Sequence, residues 1–287
     1  MSHRLWSFLV VMISLMLAAC SESVSPGVEH FAHAKTNLQT SDFTAAVNNL
    51  DLTIKNTNDE SLKTEATLIR VALITAMADA DQQMVAAYQE GAKQPLAQGK
   101  VGSFYKTRSD YANTARAYLM DAMQTVMDQR DKLDPNKAVA IEVPFPGFTG
   151  GTDDTLTKIK AGQVIMDAQR LNAEQQLTRN AFAKVLTALA GAGNDLNKGK
   201  GLYAAGKVNV DARAYVIELS DEFLSIGQIF DAKVMNDPDK LKTVNQVVEQ
   251  NLVVATKLLA AKPDKDLEAR VKKMQADCDK CLKKLKA

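Results

Sequence analysis

Few side chains in this sequence could do chemistry unaided: there are three cysteines and three histidines in 287 residues. Cys278-Asp279-Lys280-Cys281 is the most suggestive group, since Cys-x-x-Cys serves as a redox pair, half a zinc site or a haem attachment. Haem attachment needs a following His, and Leu282 stands there instead. A redox pair works best at a helix amino terminus, where the dipole lowers the thiol pKa. This pair falls in the last turns of an expected helix, with only Lys280 and Lys283 to offset an opposed dipole. Leu267, Val271, Met274, Cys278, Cys281 and Leu285 step by four, three, four, three and four, which puts both thiols on an apolar stripe. Two readings stay open for Cys278 and Cys281: packed thiols, or a local disulfide in an oxidising compartment.

His30 and His33 lie three apart beside Glu29. With the two distal cysteines they would make a two-Cys, two-His set, but only if the chain ends met. Their spacing is also short for a zinc finger. Solvent-facing positions at the start of a helix suit them better, and no metal site is expected. Gly193 to Gly201 (GNDLNKGKG) imitates a phosphate loop. Its glycine spacing is one residue too long, Gly201 replaces the magnesium-binding Ser or Thr, and a helix precedes it where a strand belongs. A flexible helix-stopping link is the better reading. Carboxylates are scattered along the chain, so no catalytic residue is nominated and no enzyme is expected.

The third cysteine, Cys20, ends an apolar run. Arg4 is the only full charge before it, Leu5 to Leu17 is almost wholly apolar, and Ala18 and Ala19 follow. That is the charged, apolar and small-residue order of an export signal, too short for a comfortable membrane span. Leu17-Ala18-Ala19-Cys20 resembles the lipobox of bacterial lipoproteins. The resemblance implies a signal peptide over residues 1–19, diacylglycerol on the Cys20 thiol and acylation of the new amino terminus. More than one acyl chain anchors firmly where a single one binds marginally. Ser21, where an Asp would imply retention in the inner membrane, implies the periplasmic face of the outer membrane. Residues 20–27 are then the lipidated cysteine and a polar tether. The stretch Ser21 to Pro26 spans at most about 20 Å, which keeps the body close to the bilayer. No cofactor beyond the covalent lipid is expected.

Composition sets further bounds. There are 35 basic and 34 acidic side chains, and removing a signal that contains Arg4 makes them equal. A balanced chain whose single basic cluster is Lys283-Lys284-Leu285-Lys286 offers no electrostatic case for nucleic acid. The sole tryptophan, Trp6, lies in the signal. Few aromatics and seven prolines lean towards helix.

The elements that would hold these residues read as helices almost throughout. Ser41-Asp42-Phe43 caps an amphipathic helix running past Leu50 and Ile54, so Phe31 to Asn56 is expected to be a helical hairpin turning at Gln39 to Ser41. Ser41, Asp42, Phe43, Ala46 and Leu50 resemble the second helix of a tetratricopeptide (TPR) unit. In the first helix Ala34 takes the small position, while His33 and Asn37 stand where large apolar residues belong. Glu65 to Ala92 reads as a degenerate second unit, which makes 28–96 a pair of TPR-like hairpins. Lys93 to Gly102 is a connection, and Phe104 to Leu133 a long amphipathic helix stopped by Asp134-Pro135. Asp153 to Ala190 is helical with a bend near Gly162, and Gly191 to Gly206 holds a short helix at most. Helices are expected over Val210 to Met235, over Lys240 to Ala261 after an Asp237-Pro238 start, and from about Asp264 to Leu285. No alternation is long enough for a sheet. The fold class is all-α: an antiparallel array, TPR-like solenoid or helical bundle, with 97–287 continuing the array.

The exception is the irregular segment 136–152. Val139, Ile141, Val143 and Phe145 alternate, Pro144 and Pro146 forbid helix, and Gly147, Gly150 and Gly151 release the chain again. So long and apolar a segment must be covered. Either it packs as a lid across its own helices, or Phe145 and Phe148, with Val139, Ile141 and Val143, dock a partner protein or the membrane. Lipoproteins similar to TPR proteins include outer-membrane assembly subunits and the T component associated with TRAP transporters, whose segments Arg108-Ser-Asp-Tyr-Ala112 and Pro146-Gly-Phe148 resemble. The expected function is a lipid-anchored periplasmic scaffold binding a partner protein in an envelope complex or transport system. A carrier for a small apolar ligand between Met- and Ala-rich helices is the alternative. A redox or metal protein using the cysteine pair is a third.

Overall fold

The computed structural model describes residues 25–148, 154–231 and 234–286. Cys20, the expected signal peptide over residues 1–19 and the last part of the 136–152 segment fall outside the described residues.

Glu60–Gly91 has apolar side chains around most of its circumference, and it forms the central helix α3, preceded by α1 (Pro26–Thr40) and α2 (Phe43–Asn56). A helix that is hydrophobic all round must be buried all round. Around α3 pack α2, α4 (Val101–Arg130), α5 (Asp154–Lys160), α6 (Asp167–Leu189) and α8 (Ala212–Ile226). A short α7 (Leu196–Ala204) lies on α6, while α9 (Pro238–Ala261) and α10 (Lys265–Lys286) cover α8. The architecture is an all-α antiparallel array of ten α-helices among the described residues.

Local chemistry sets most helix starts. The Asp42 carboxylate accepts from the Ala45 N–H, Asp59 from Ser61 and Leu62, Asp195 from Lys198, Asp211 from Arg213 and Asp237 from Lys240. Each satisfies amide donors that the first turn leaves unpaired. Ser41, at φ 62°, closes α1 and turns the chain into α2, so the expected first hairpin is present. The expected second hairpin is not: residues 60–91 form one unbroken helix of 32 residues, about 48 Å long. No glycine or proline interrupts it before Gly91, and its uninterrupted apolar surface has neighbours on every side.

Two short strands also depart from the all-helical expectation. β1 (Ala138–Ile141) pairs antiparallel with β2 (Val208–Asp211), Val139 opposite Val210 and Ile141 opposite Val208. Val208 and Val210 face inward while Asn209 is exposed, an alternation too short to stand out in the sequence. The helix expected from Val210 therefore begins at Ala212, where Asp211 caps it.

The buried side chains form two cores. The larger runs from Phe31 on α1 to Cys278 on α10 and includes Leu50, Leu73, Phe182 and Phe223. The smaller holds ten residues around the far end of α3, among them Met84, Tyr88, Phe104, Ile159 and Leu177. Gly91 permits the latter: a Cβ there would sit 2.1 Å from the Ile159 carbonyl, so only glycine lets α5 cross the end of α3 this closely.

Candidate functional site: a charged cleft beside the smaller core

Asp81 lies inside the apolar run of α3, and burial of that helix carries it inward until only 3% of it is exposed. Its Oδ2 has no hydrogen-bond partner among the described protein atoms. Burial, and secondarily the negative charge of Glu174, pushes its pKa up to about 8. The carboxyl is therefore mostly protonated at neutral pH. An unpaired buried polar atom is uncommon and costly, so this one calls for an explanation.

Asp81 reaches a cleft of about 700 Å³ between α3, α4 and α6. One wall is α4, contributing Thr107, Tyr111 and Thr114, which recur at helical spacing; the other is α6, contributing Arg170 and Glu174, one turn apart. The Tyr111 hydroxyl donates to Glu174 Oε2 at 3.1 Å. Burial and the Glu174 charge raise the pKa of that hydroxyl, so it stays protonated as a donor. Tyr88 stacks on Tyr111 with ring centres 6.0 Å apart and meets Phe104 edge-on at 5.5 Å, tying the cleft wall to the smaller core. Arg170 pairs with Asp167 at 2.7 Å and hydrogen-bonds Tyr88. Elsewhere on α3, Asp79 takes a bond from Gln83 at 3.1 Å and feels Lys184, which itself pairs with Glu222 on α8 at 2.8 Å. Burial raises the Asp79 and Glu222 pKa values, Lys184 acting against it in both.

Carboxyl groups thus stand at the floor and on both walls of the cleft, Asp81 on α3, Asp110 on α4 and Asp167 and Glu174 on α6. Chemically it can hold hydrogen-bond donors and positive charge. No group of three or more metal-ligating side chains occurs among the described residues. Sequence reasoning passed over this site because carboxylates are everywhere in the chain. The available signal was Asp79-Ala80-Asp81 within Leu68 to Ala87, two charges in a helix with no polar face to put them on.

The nominated residues have different placements. Ile141 and Val143 are buried in the larger core, while Val139 and Phe145 are half-buried against it. Phe145 tilts onto Tyr203, centre to centre 5.6 Å, and Phe148 is half-buried. Among its described residues, the segment lays Val139, Ile141, Val143 and Phe145 against the chain's own core. Cys278 and Cys281 are free thiols on an unbroken helix, the first buried and the second half-buried. Burial, with Glu249 and Cys281 adding to it, pushes the Cys278 thiol up to about 12, away from the reactive thiolate. His33 is exposed, 3.7 Å from Glu29 on α1. The glycine run is α7 and its approach: a Cβ on Gly199 would lie 2.2 Å from Thr187 Oγ1, so that glycine serves helix packing. Comparison with protein-family models, curated proteins and solved structures finds no match to this chain.

Proposed function

We propose that this chain is a lipid-anchored scaffold of the bacterial envelope, held through Cys20 on the periplasmic face of the outer membrane, that binds a partner protein at the end remote from its tether. The observation that carries this reading is a set of exposed apolar side chains on the segments that follow α3 and lead into α6. Leu96 is 65% exposed, Val164 55%, Met166 68% and Leu171 55%. They lie on two touching segments and the helix that follows, since Gly162 packs against Gln94 and Ala97. Water-exposed apolar clusters of this kind mark interaction sites. Ile141 and Val143 are buried and Phe145 and Phe148 half-buried, which favours this more exposed surface for docking.

Tether length supports a protein rather than the bilayer as the occupant. α1 starts at Pro26, at the end of the short Ser21 to Pro26 tether, and Gly27 packs on Thr57 just before α3. The apolar cluster lies beyond the other end of α3, about 48 Å along the helix.

A photo-crosslinking residue at position 166 in cells is expected to capture one protein species, whereas the same residue at Val253, exposed on α9, captures none. Adducts to lipid alone, or none at either position, would refute the docking surface. The anchor has its own test: Cys20→Ala is expected to leave unprocessed chain that takes up no labelled fatty acid, and unchanged labelling would sink it.

A further inference from the structure

We propose that the cleft between α3, α4 and α6 is a binding site for a small organic amine, whose ammonium group sits between Asp81 and Glu174. This goes beyond the scaffold reading and does not depend on the anchor. The first support is Asp81 itself, which is 3% exposed, contributes to the cleft lining and has one carboxyl oxygen, Oδ2, without a partner among the described protein atoms. A buried acceptor in that state is satisfied by a ligand that brings an N–H. The second is charge. Four carboxyl groups line the cleft against two cationic side chains. Arg170 is already engaged by Asp167, and Lys106 is exposed, which leaves Asp81 and Glu174 as an acidic pair without a cation of their own.

The third support is the wall. Tyr111, in the lining and stacked on Tyr88, supplies an aromatic ring of the kind that favours cations. About 700 Å³ is far more than one ammonium needs, so a carbon chain fits behind it, with exposed Asp110 within the same lining for a second amino group. A primary amine also matches the donor count: its three N–H groups meet Asp81, Glu174 and a third acceptor.

Binding requires Asp81 to give up its proton, because an ammonium pairs with a carboxylate and not with a carboxylic acid. The charged and titratable groups facing Asp81 are Tyr111 and Tyr118 from α4 and Glu174 and Arg170 from α6. The tyrosines remain neutral and Arg170 remains charged, so the released proton comes from Asp81.

The test is titration calorimetry of the full chain in detergent at pH 7 with 1,4-diaminobutane, in two buffers of different ionisation enthalpy. One site is expected, with proton release to the buffer, and 1,4-butanediol should give no heat. Asp81→Asn should abolish proton release and weaken binding by about tenfold or more, the loss of a charge-assisted contact. Glu174→Gln, a half-exposed position whose amide oxygen still accepts from Tyr111, should also weaken binding and keeps the test decisive should Asp81→Asn fail to fold. The proposal is overturned by absence of binding up to about 10 mM, a weak fragment-like limit. Binding that both variants leave unchanged would also overturn it. Neither outcome touches the crosslinking or fatty-acid results, so this inference and the scaffold reading fail separately.

Discussion

Two acidic side chains of this molecule, one beside each core, handle charge in opposite ways. Beside the larger core, Arg70 on α3 bridges Asp51 on α2 and Asp121 on α4, and Arg270 on α10 grips Glu218 and Asp221 on α8. Asp211, at the start of α8, is held at about 2, chiefly by the Arg213 side chain and further by Lys262. Beside the smaller core, Asp81 has no cation, and burial drives it the other way, to about 8. Pairing tells a region built to stay closed; an unpaired carboxyl at the floor of an open cleft tells one that awaits something. The same residue type thus has opposite consequences for stability in the two places.

The largest effect should separate the cores directly. Phe223→Ala removes a fully buried ring from the larger core and is expected to cost about 3–5 kcal/mol in urea unfolding. Phe104→Ala removes a ring that is 2% exposed from the smaller core, and its cost should fall in the same range. Hydrogen exchange should then quicken throughout the chain for the first variant, but mainly over residues 84–104 and 156–162 for the second. Identical exchange patterns would mean there is one cooperative core and not two.

Next comes the pH contrast. Asp81 binds its proton more tightly folded than unfolded, so folding stability contributed by this group is highest below pH 4 and falls as pH rises from about 4 to about 8. Asp81→Asn should therefore become more stable than the parent across that window, by about 2–5 kcal/mol at pH 8, with little difference at pH 3. A constant gap between the two melting profiles would show that Asp81 is not desolvated.

The paired carboxylate should behave in reverse and more weakly. Asp211→Asn keeps the helix cap but loses the ion pair, so it should cost about 1–2 kcal/mol at pH 7. That cost should fade as pH falls through about 2, where Asp211 itself takes a proton. A cost that is the same at both ends of the range would assign the effect to the cap alone. The smallest effect belongs to the covering helix α10. Cys281→Ser should change stability by less than about 0.5 kcal/mol, and an alkylating reagent should label Cys281 while sparing Cys278 until the chain unfolds. Rapid labelling of Cys278 would mean that α10 does not stay packed on the larger core.

Most of the helical array was legible from local signals. The period of Phe104 to Leu133, the Asp42 and Asp237 caps and the stops at Pro135 and Pro263 depend on neighbours a few residues away, and α4, α2 and α9 follow them closely. The break between α5 and α6 falls at Gly162, whose φ of 85° suits glycine, where a bend was expected. The ladder between β1 and β2 was not legible, because its four-residue strands gain their pairing from each other across the helices between them. Nor was the length of α3, since a weak TPR likeness over Glu65 to Ala92 competes with a helix whose continuity depends on neighbours that bury every side.

By itself the sequence determined where most of the helices begin, turn and stop, α3 and α8 excepted, because capping and periodicity act within one or two turns of chain. The likeness of Leu17-Ala18-Ala19-Cys20 to a lipobox is likewise a matter of local sequence alone. Only the tertiary structure decided which of the 34 acidic side chains matters. Asp81, Tyr111 and Glu174 share a cleft because α3, α4 and α6 pack together, and desolvation and unpaired charge arise from that packing and not from the residues next to them in the chain.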